Sequence, residues 1–205
     1  MFKILSKVVK VLVFFDLSLL FGSGLVDPIL AVFIVGSIKG GNIQVVGISV
    51  AIYWGIKSIL MLPIAKYLDN TPGEKVDFYF LIFGTLLASF IPLGFIFANL
   101  PWHIYALEAI HAVGMAAVLP SWSGIFTRHI KEGTEAQSWT LDSSAYGIGT
   151  ALAGFIGGTV AEKFGFVPLF IGVAVFGVIS ALSCLLIKKE LMPKERRRTM
   201  IVSKP

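Results

Sequence analysis

The sequence has 205 residues, 56% of them hydrophobic and 14% charged, with a mean hydropathy of +0.86 and a formal charge of +5. That balance excludes an ordinary soluble domain, because long apolar runs of this kind belong in lipid. The single cysteine, Cys184, sits inside such a run, which excludes an internal disulfide or a cysteine cluster.

In chain order, six apolar segments are each long enough to cross about 30 Å of hydrocarbon as a helix. They run roughly over 11–36, 43–68, 76–98, 104–126, 139–160 and 166–187. Backbone polar groups in lipid must be satisfied within the segment, and no barrel-type alternation is present, so all six are predicted as helices. The first follows basic residues, as a signal peptide does. It is too long for an h-region and lacks a small-residue cleavage site, so it is expected to remain as the first span. The connections, at 37–42, 69–75, 99–103, 127–138 and 161–165, are short, and no linker marks a second domain. The expected organisation is one six-helix transmembrane domain over 1–187 and a basic cytoplasmic tail over 188–205.

Basic residues set the expected orientation. Lys3, Lys7, Lys10, Lys66, Lys75, Arg128, Lys131, Lys188, Lys189, Lys194, Arg196, Arg197, Arg198 and Lys204 fall on one face, against Lys39 and Lys163 on the other. Such a bias puts both termini in the cytoplasm. Trp102 and Trp139 suit aromatic anchors at the two edges. The run Glu195-Arg196-Arg197-Arg198 reads as a topological anchor with affinity for anionic lipid, in preference to a nucleic-acid site.

Ionisable residues at membrane depth are costly and mark paired or functional positions. Asp16, Asp27, Lys57, Glu108 and His111 qualify. Glu108 and His111, three apart, share a helix face. At a rise of about 1.5 Å per residue, His111 falls near the level of Asp27. Asp27, Glu108 and His111 are therefore expected to form one cluster that exchanges protons or contacts a polar solute, with Lys57 as a further candidate. The plainer alternative is structural pairing. Asp16 is expected to pair with Lys57, and Asp142 reads as a helix-start carboxylate. Tyr53, Trp54, Trp122 and Tyr146 are expected in lipid or core contact more than in stacking on a solute.

Nothing points to an enzyme. No phosphate-binding Gly-rich lysine motif is present, and no nucleophile–base pair. Glu108-Ala-Ile-His111 has the spacing of di-metal helices, but no second Glu-x-x-His pair accompanies it. No catalytic residue, metal or cofactor is expected.

The loop Pro63-Ile-Ala-Lys-Tyr-Leu-Asp-Asn-Thr-Pro-Gly-Glu-Lys75 joins the second and third apolar runs, and its Pro72-Gly73 pair enforces a turn. It resembles the loop after the second helix in the major facilitator superfamily of transporters, with Asp69, Gly73 and Lys75 at matching positions. Ala65, Asn70 and Glu74 depart from that pattern, and Pro72 looks inserted. Leu20-Phe-Gly-Ser-Gly-Leu-Val-Asp-Pro28 resembles the family's first helix and Ala112-Val-Gly-Met-Ala-Ala-Val-Leu-Pro120 its fourth. Gly149-Thr-Ala-Leu-Ala-Gly-Phe-Ile-Gly-Gly158 is similar to its fifth, with Ala153 and Gly154 where the family pattern has Gly-Pro.

The resemblance implies a fold like one six-helix half of the family's usual two, an all-α integral membrane protein of the cell membrane. In the two-half members substrate sits at the midplane between parallel halves. The implied function is secondary active transport of a small solute by alternating access, with two copies pairing as a parallel C2 homodimer. The first and fourth helices would line the cavity, and the second and fifth would form the seam, with Gly149, Gly154, Gly157 and Gly158 on the close-approach face. Asp69 would then hold the cytoplasmic side closed against the start of the partner's fifth helix near Trp139. The alternative is an accessory subunit that pairs with a different half.

Overall fold

The computed structural model describes residues 5–192, and every regular element among them is helical. In chain order these are α1 (Lys7–Gly24), α2 (Leu30–Ser37), α3 (Ile43–Asp69), α4 (Lys75–Gly94), α5 (Pro101–His129), α6 (Glu135–Phe164), α7 (Val167–Ser183) and α8 (Lys188–Leu191). Turns of 3-10 helix at Phe95–Phe97 and Cys184–Ile187 extend α4 and α7. Four stretches are long and apolar enough to cross a membrane: Ile43–Asp69, Lys75–Phe97, Pro101–His129 and Val167–Leu191. The tail cluster from Lys194 to Lys204, and Lys3, lie outside the described residues.

The first expected span is not one helix. A continuous helix over 11–36 is replaced by α1 and α2 with a turn between them. Pro28 has no N–H, and in a continuous helix its ring would collide with the carbonyl of Gly24. The amides of Leu25, Val26 and Ile29 bond only three residues back, to Gly22, Ser23 and Val26, Pro28 donates nothing, and α2 begins with Leu30. Asp27 is therefore displayed at a break and not on a helix face.

Local signals set the other ends. The Ser6 hydroxyl caps α1 by accepting from the Val9 amide at 3.2 Å, and the Asn42 side chain caps α3 by accepting from Val45 at 3.0 Å. Pro101 opens α5, where its missing donor costs nothing. Gly73, at φ +80°, makes the turn between α3 and α4.

Around the bundle the helices pack in the order α3, α5, α4, α7, α1, α6, and α1 also touches α5. Two apolar clusters fill the interior. One, near the start of α1, joins Leu12, Phe15, Phe78, Leu81, Trp122, Phe126 and Ile187. The other, near α2, joins Phe33, Ile34, Phe95, Ile104, Phe170 and Val173. The arrangement leaves α3 and α6 at its two open ends, with α1 and α5 between them. Both flanking helices present large apolar side chains outward, among them Ile59, Leu62, Ile148, Leu152 and Phe155.

Charge is segregated along the bundle. The Ser6 hydroxyl donates to the carbonyl of His129, Lys7 pairs with Glu190, and Arg128 pairs with Glu74. These contacts gather the ends of α1, α4, α5 and α8 that carry the basic residues. Lys39 lies at the opposite end, where its amide donates to Asn99.

Candidate functional site

Four elements converge on one cavity. On α3, Ser49, Tyr53 and Lys57 recur every four residues and so share a face. On α5, Glu108, His111 and Met115, spaced three and four apart, share a face across the gap. The Pro28 break in the first span adds Asp27, with Leu20 and Ser23 below it, and α6 adds Tyr146. Together they line a cavity of about 460 Å³, within the range of small-molecule sites. All four residues singled out for solute or proton contact, Asp27, Lys57, Glu108 and His111, thus lie on one wall system.

The polar groups divide into two sets. Glu108 is 7% exposed, and its Oε2 lies 3.7 Å from His111 Nδ1. Asp27 is accessible from the same space. The His111 ring packs on Tyr53 at a centroid distance of 5.1 Å. Lys57, 7% exposed, donates to the Tyr53 hydroxyl at 3.3 Å. Its ammonium sits 4.5 Å from the Trp54 ring centroid and 5.3 Å from that of Tyr53, a cation–π arrangement. Among the described residues Lys57 takes part in no ion pair. The expected Asp16–Lys57 pair is thus absent, because Lys57 turns into the cavity and onto aromatic faces.

The aromatic residues sort differently from expectation. Tyr53, Trp54 and Tyr146 line the cavity. Trp122 is in the core, stacked on Phe126 and donating to the Leu12 carbonyl at 3.2 Å. The faces of Tyr53 and Trp54 were legible only as apolar surface, since the sequence does not say which aromatic residue looks inward.

A second group lies at the basic end. Arg128 Nε meets Glu74 Oε1 and its Nη2 meets Asp77 Oδ1, both at 2.8 Å, and His129 Nε2 is 3.5 Å from Glu74 Oε2. Asp77 is 1% exposed, and its Oδ2 has no hydrogen-bond partner among the described residues. Sequence reasoning missed this network, because Asp77 reads as an ordinary acid in a first helical turn. A cavity of about 440 Å³ beside it is lined by Asp69, Asp77, Arg128 and Trp139. Asp69 and the start of α6 in the same chain therefore already share one cleft. Gly73 and Lys75 are exposed on the turn above.

The four glycines expected at a seam divide. A Cβ at Gly149 would meet Leu17 at 2.6 Å, and one at Gly157 would meet the Leu25 carbonyl oxygen at 2.2 Å. One at Gly154 would lie 3.6 Å from Pro28. These three face the first span of the same chain, so their role is packing within the bundle. Only Gly158 opens onto free space, with nothing within 4 Å.

An all-helical membrane protein with a charged cavity between four helices is the class this architecture defines. Comparison with known families matches residues 12–202 to the Major Facilitator Superfamily, and the chain belongs to that family. It is also 25% identical over 162 residues to the multidrug resistance protein MdtG of Dickeya zeae (strain Ech586). That match covers 78% of this chain and 38% of MdtG, so the matched segment spans well under half the length of this relative.

Proposed function

We propose that this chain forms one wall of a secondary carrier in the cell membrane, moving a small solute by alternating access. The observation that supports it most is the convergence of Asp27, Lys57, Glu108 and His111 on one cavity inside an otherwise apolar bundle. Charges at that depth are retained where a solute or proton path needs them. In this reading α1 with α2 and α3 to α7 make six spans, the first broken and the last extended by the 3-10 turn, with both termini in the cytoplasm on the basic side. Membership of the family and the similarity to a protein named for multidrug resistance agree with carriage of a small organic solute.

The cavity has walls from α1, α3, α5 and α6 but none opposite α1 and α5 among the described residues. A second copy of this chain, related by a two-fold axis along the membrane normal, supplies that wall. Its α6 would meet α3 of the first copy, and the reverse. Asp69, Gly73 and Lys75 then lie at the cytoplasmic end of the seam, placed to latch it when the carrier opens outward.

The test uses accessibility. Ser23 lines the cavity and Cys184 is buried, so Ser23→Cys introduces one reactive thiol. A membrane-impermeant thiol reagent is added to right-side-out and to inside-out vesicles. Labelling from both sides is expected if the cavity opens alternately. Labelling from one side only, whatever the pH gradient, would remove alternating access.

A further inference from the structure

The carrier reading leaves the solute undefined, and Lys57 defines it further. An ammonium has three donors. In Lys57 a single hydrogen bond, to the Tyr53 hydroxyl at 3.3 Å, uses one of them. Its side chain is buried, at 7% exposure, points into the cavity, and has no ion-pair partner among the described residues. A buried positive charge held only by a phenol and two ring faces is incompletely compensated. Glu108 is already engaged with His111 at 3.7 Å, one turn further along the cavity.

Resting on the carrier reading, we infer that the solute is an amphipathic organic monoanion, whose acidic group binds the Lys57 ammonium and whose flat apolar body lies on Trp54 and Tyr146. The anion takes the donors that Tyr53 leaves free. Trp54 is 56% exposed and Tyr146 46% exposed within a space also bounded by Met115 and Leu20, so two aromatic faces and apolar side chains are available to a ring system. The acids at the far end set the charge limit. Asp27 and Glu108 would repel a second acidic group on the same solute, so one negative charge is favoured over two. The shared chemistry is an acid on an apolar body, which a soluble aromatic acid and an anionic lipid headgroup both offer. The soluble acid is the one that fits a cavity lined by ring faces at membrane depth.

The experiment is calorimetric titration of the whole protein in phosphatidylcholine nanodiscs with three probes of one shape: 2-naphthoate, 2-naphthamide and 2-naphthylmethylammonium. Naphthoate is expected to bind at least about tenfold tighter than the other two, the scale of one hydrogen bond to a charged group. Lys57→Met should erase the preference while leaving naphthamide binding in place, which separates loss of charge from loss of fold. Lys57→Arg should keep the preference. An equal or stronger affinity for the amide or the ammonium overturns the anion class and leaves the cavity a solute site. No binding of any probe overturns both this inference and the carrier reading of the cavity. Repeating the titration with phosphatidylglycerol in the nanodisc separates the two sources. Unchanged naphthoate affinity keeps the soluble acid, and competitive loss of it assigns the site to a lipid headgroup and overturns the proposal.

Discussion

Asp77 depends on a distant residue for its charge balance. It is 1% exposed, and among the described residues its charge is matched only by Arg128, whose Nη2 lies 2.8 Å from Oδ1. Arg128→Ala would leave that carboxylate buried without a cation, a change that costs roughly 3 kcal/mol. Arg128 itself is 40% exposed, so water entering the gap holds the loss to that lower end. Thermal unfolding in detergent should show a clear fall in midpoint for Arg128→Ala. A second change, Asp77→Leu in the same background, should recover more than half of it, because the stranded charge is then gone. An unchanged midpoint in the single variant would mean that the network is solvated and contributes little. The contrast with the cavity residues shows what sequence can reveal at this scale. Asp27, Lys57, Glu108 and His111 stood out because a charge inside an apolar run is costly wherever the run sits. Asp77 did not, because an acid in a first helical turn is already explained by the helix dipole, and its partner is 51 positions away.

At the scale of elements, the approach of α6 to the first span depends on particular glycines. A Cβ on Gly157 would come within 2.2 Å of the Leu25 carbonyl oxygen and 3.0 Å of its Cα. Backbone cannot swing aside as a side-chain tip can, so Gly157→Ala must push the helices apart. Overpacking of this kind costs about 1–3 kcal/mol. At Gly158, one position on, an added methyl meets nothing within 4 Å, and Gly158→Ala should be neutral or stabilising by up to about 1 kcal/mol from helix propensity. Unfolding midpoints of the two variants should therefore diverge, and equal losses would refute this account of the α1–α6 contact. The glycine-rich pattern was legible in the sequence, but its use was not. Small residues allow close approach to any neighbour, and only the packing shows that Gly149, Gly154 and Gly157 are spent on the first span. Pro28 entered the sequence reading only as the end of the stretch that resembles the family's first helix, and the span was expected to be continuous. The proline's missing donor argues for a disturbance, while whether the span kinks or breaks depends on the turn that Ser23 stabilises.

For the whole molecule, the all-helical membrane class was readable because hydropathy alone marks long apolar segments. What lies opposite α1 and α5 was not, because an outward apolar face reads the same whether it meets lipid or protein. The two flanking helices carry a distinguishing feature. On α3, Gly47, Ala51 and Gly55 recur every four residues and are exposed, and on α6, Gly147, Ala151 and Gly158 fall on one helix face over about three turns. A Cβ at Gly47, Gly55, Gly147 or Gly158 meets nothing within 4 Å in its own chain. Ridges of small residues on both flanks suit the parallel pairing proposed here, since they let α3 of one copy approach α6 of the other. Native mass spectrometry from lipid nanodiscs should give a dimer for the unmodified chain. Gly55→Leu combined with Gly147→Leu should shift it toward monomer by at least about tenfold in the dissociation constant, as overpacking at each seam implies. Because a Cβ at either position meets nothing within 4 Å in its own bundle, the midpoint of the monomer's unfolding should stay put. A monomer from the unmodified chain would overturn self-pairing and direct the search to a different six-helix partner. A dimer indifferent to both leucines would keep the pairing but move the seam away from these ridges.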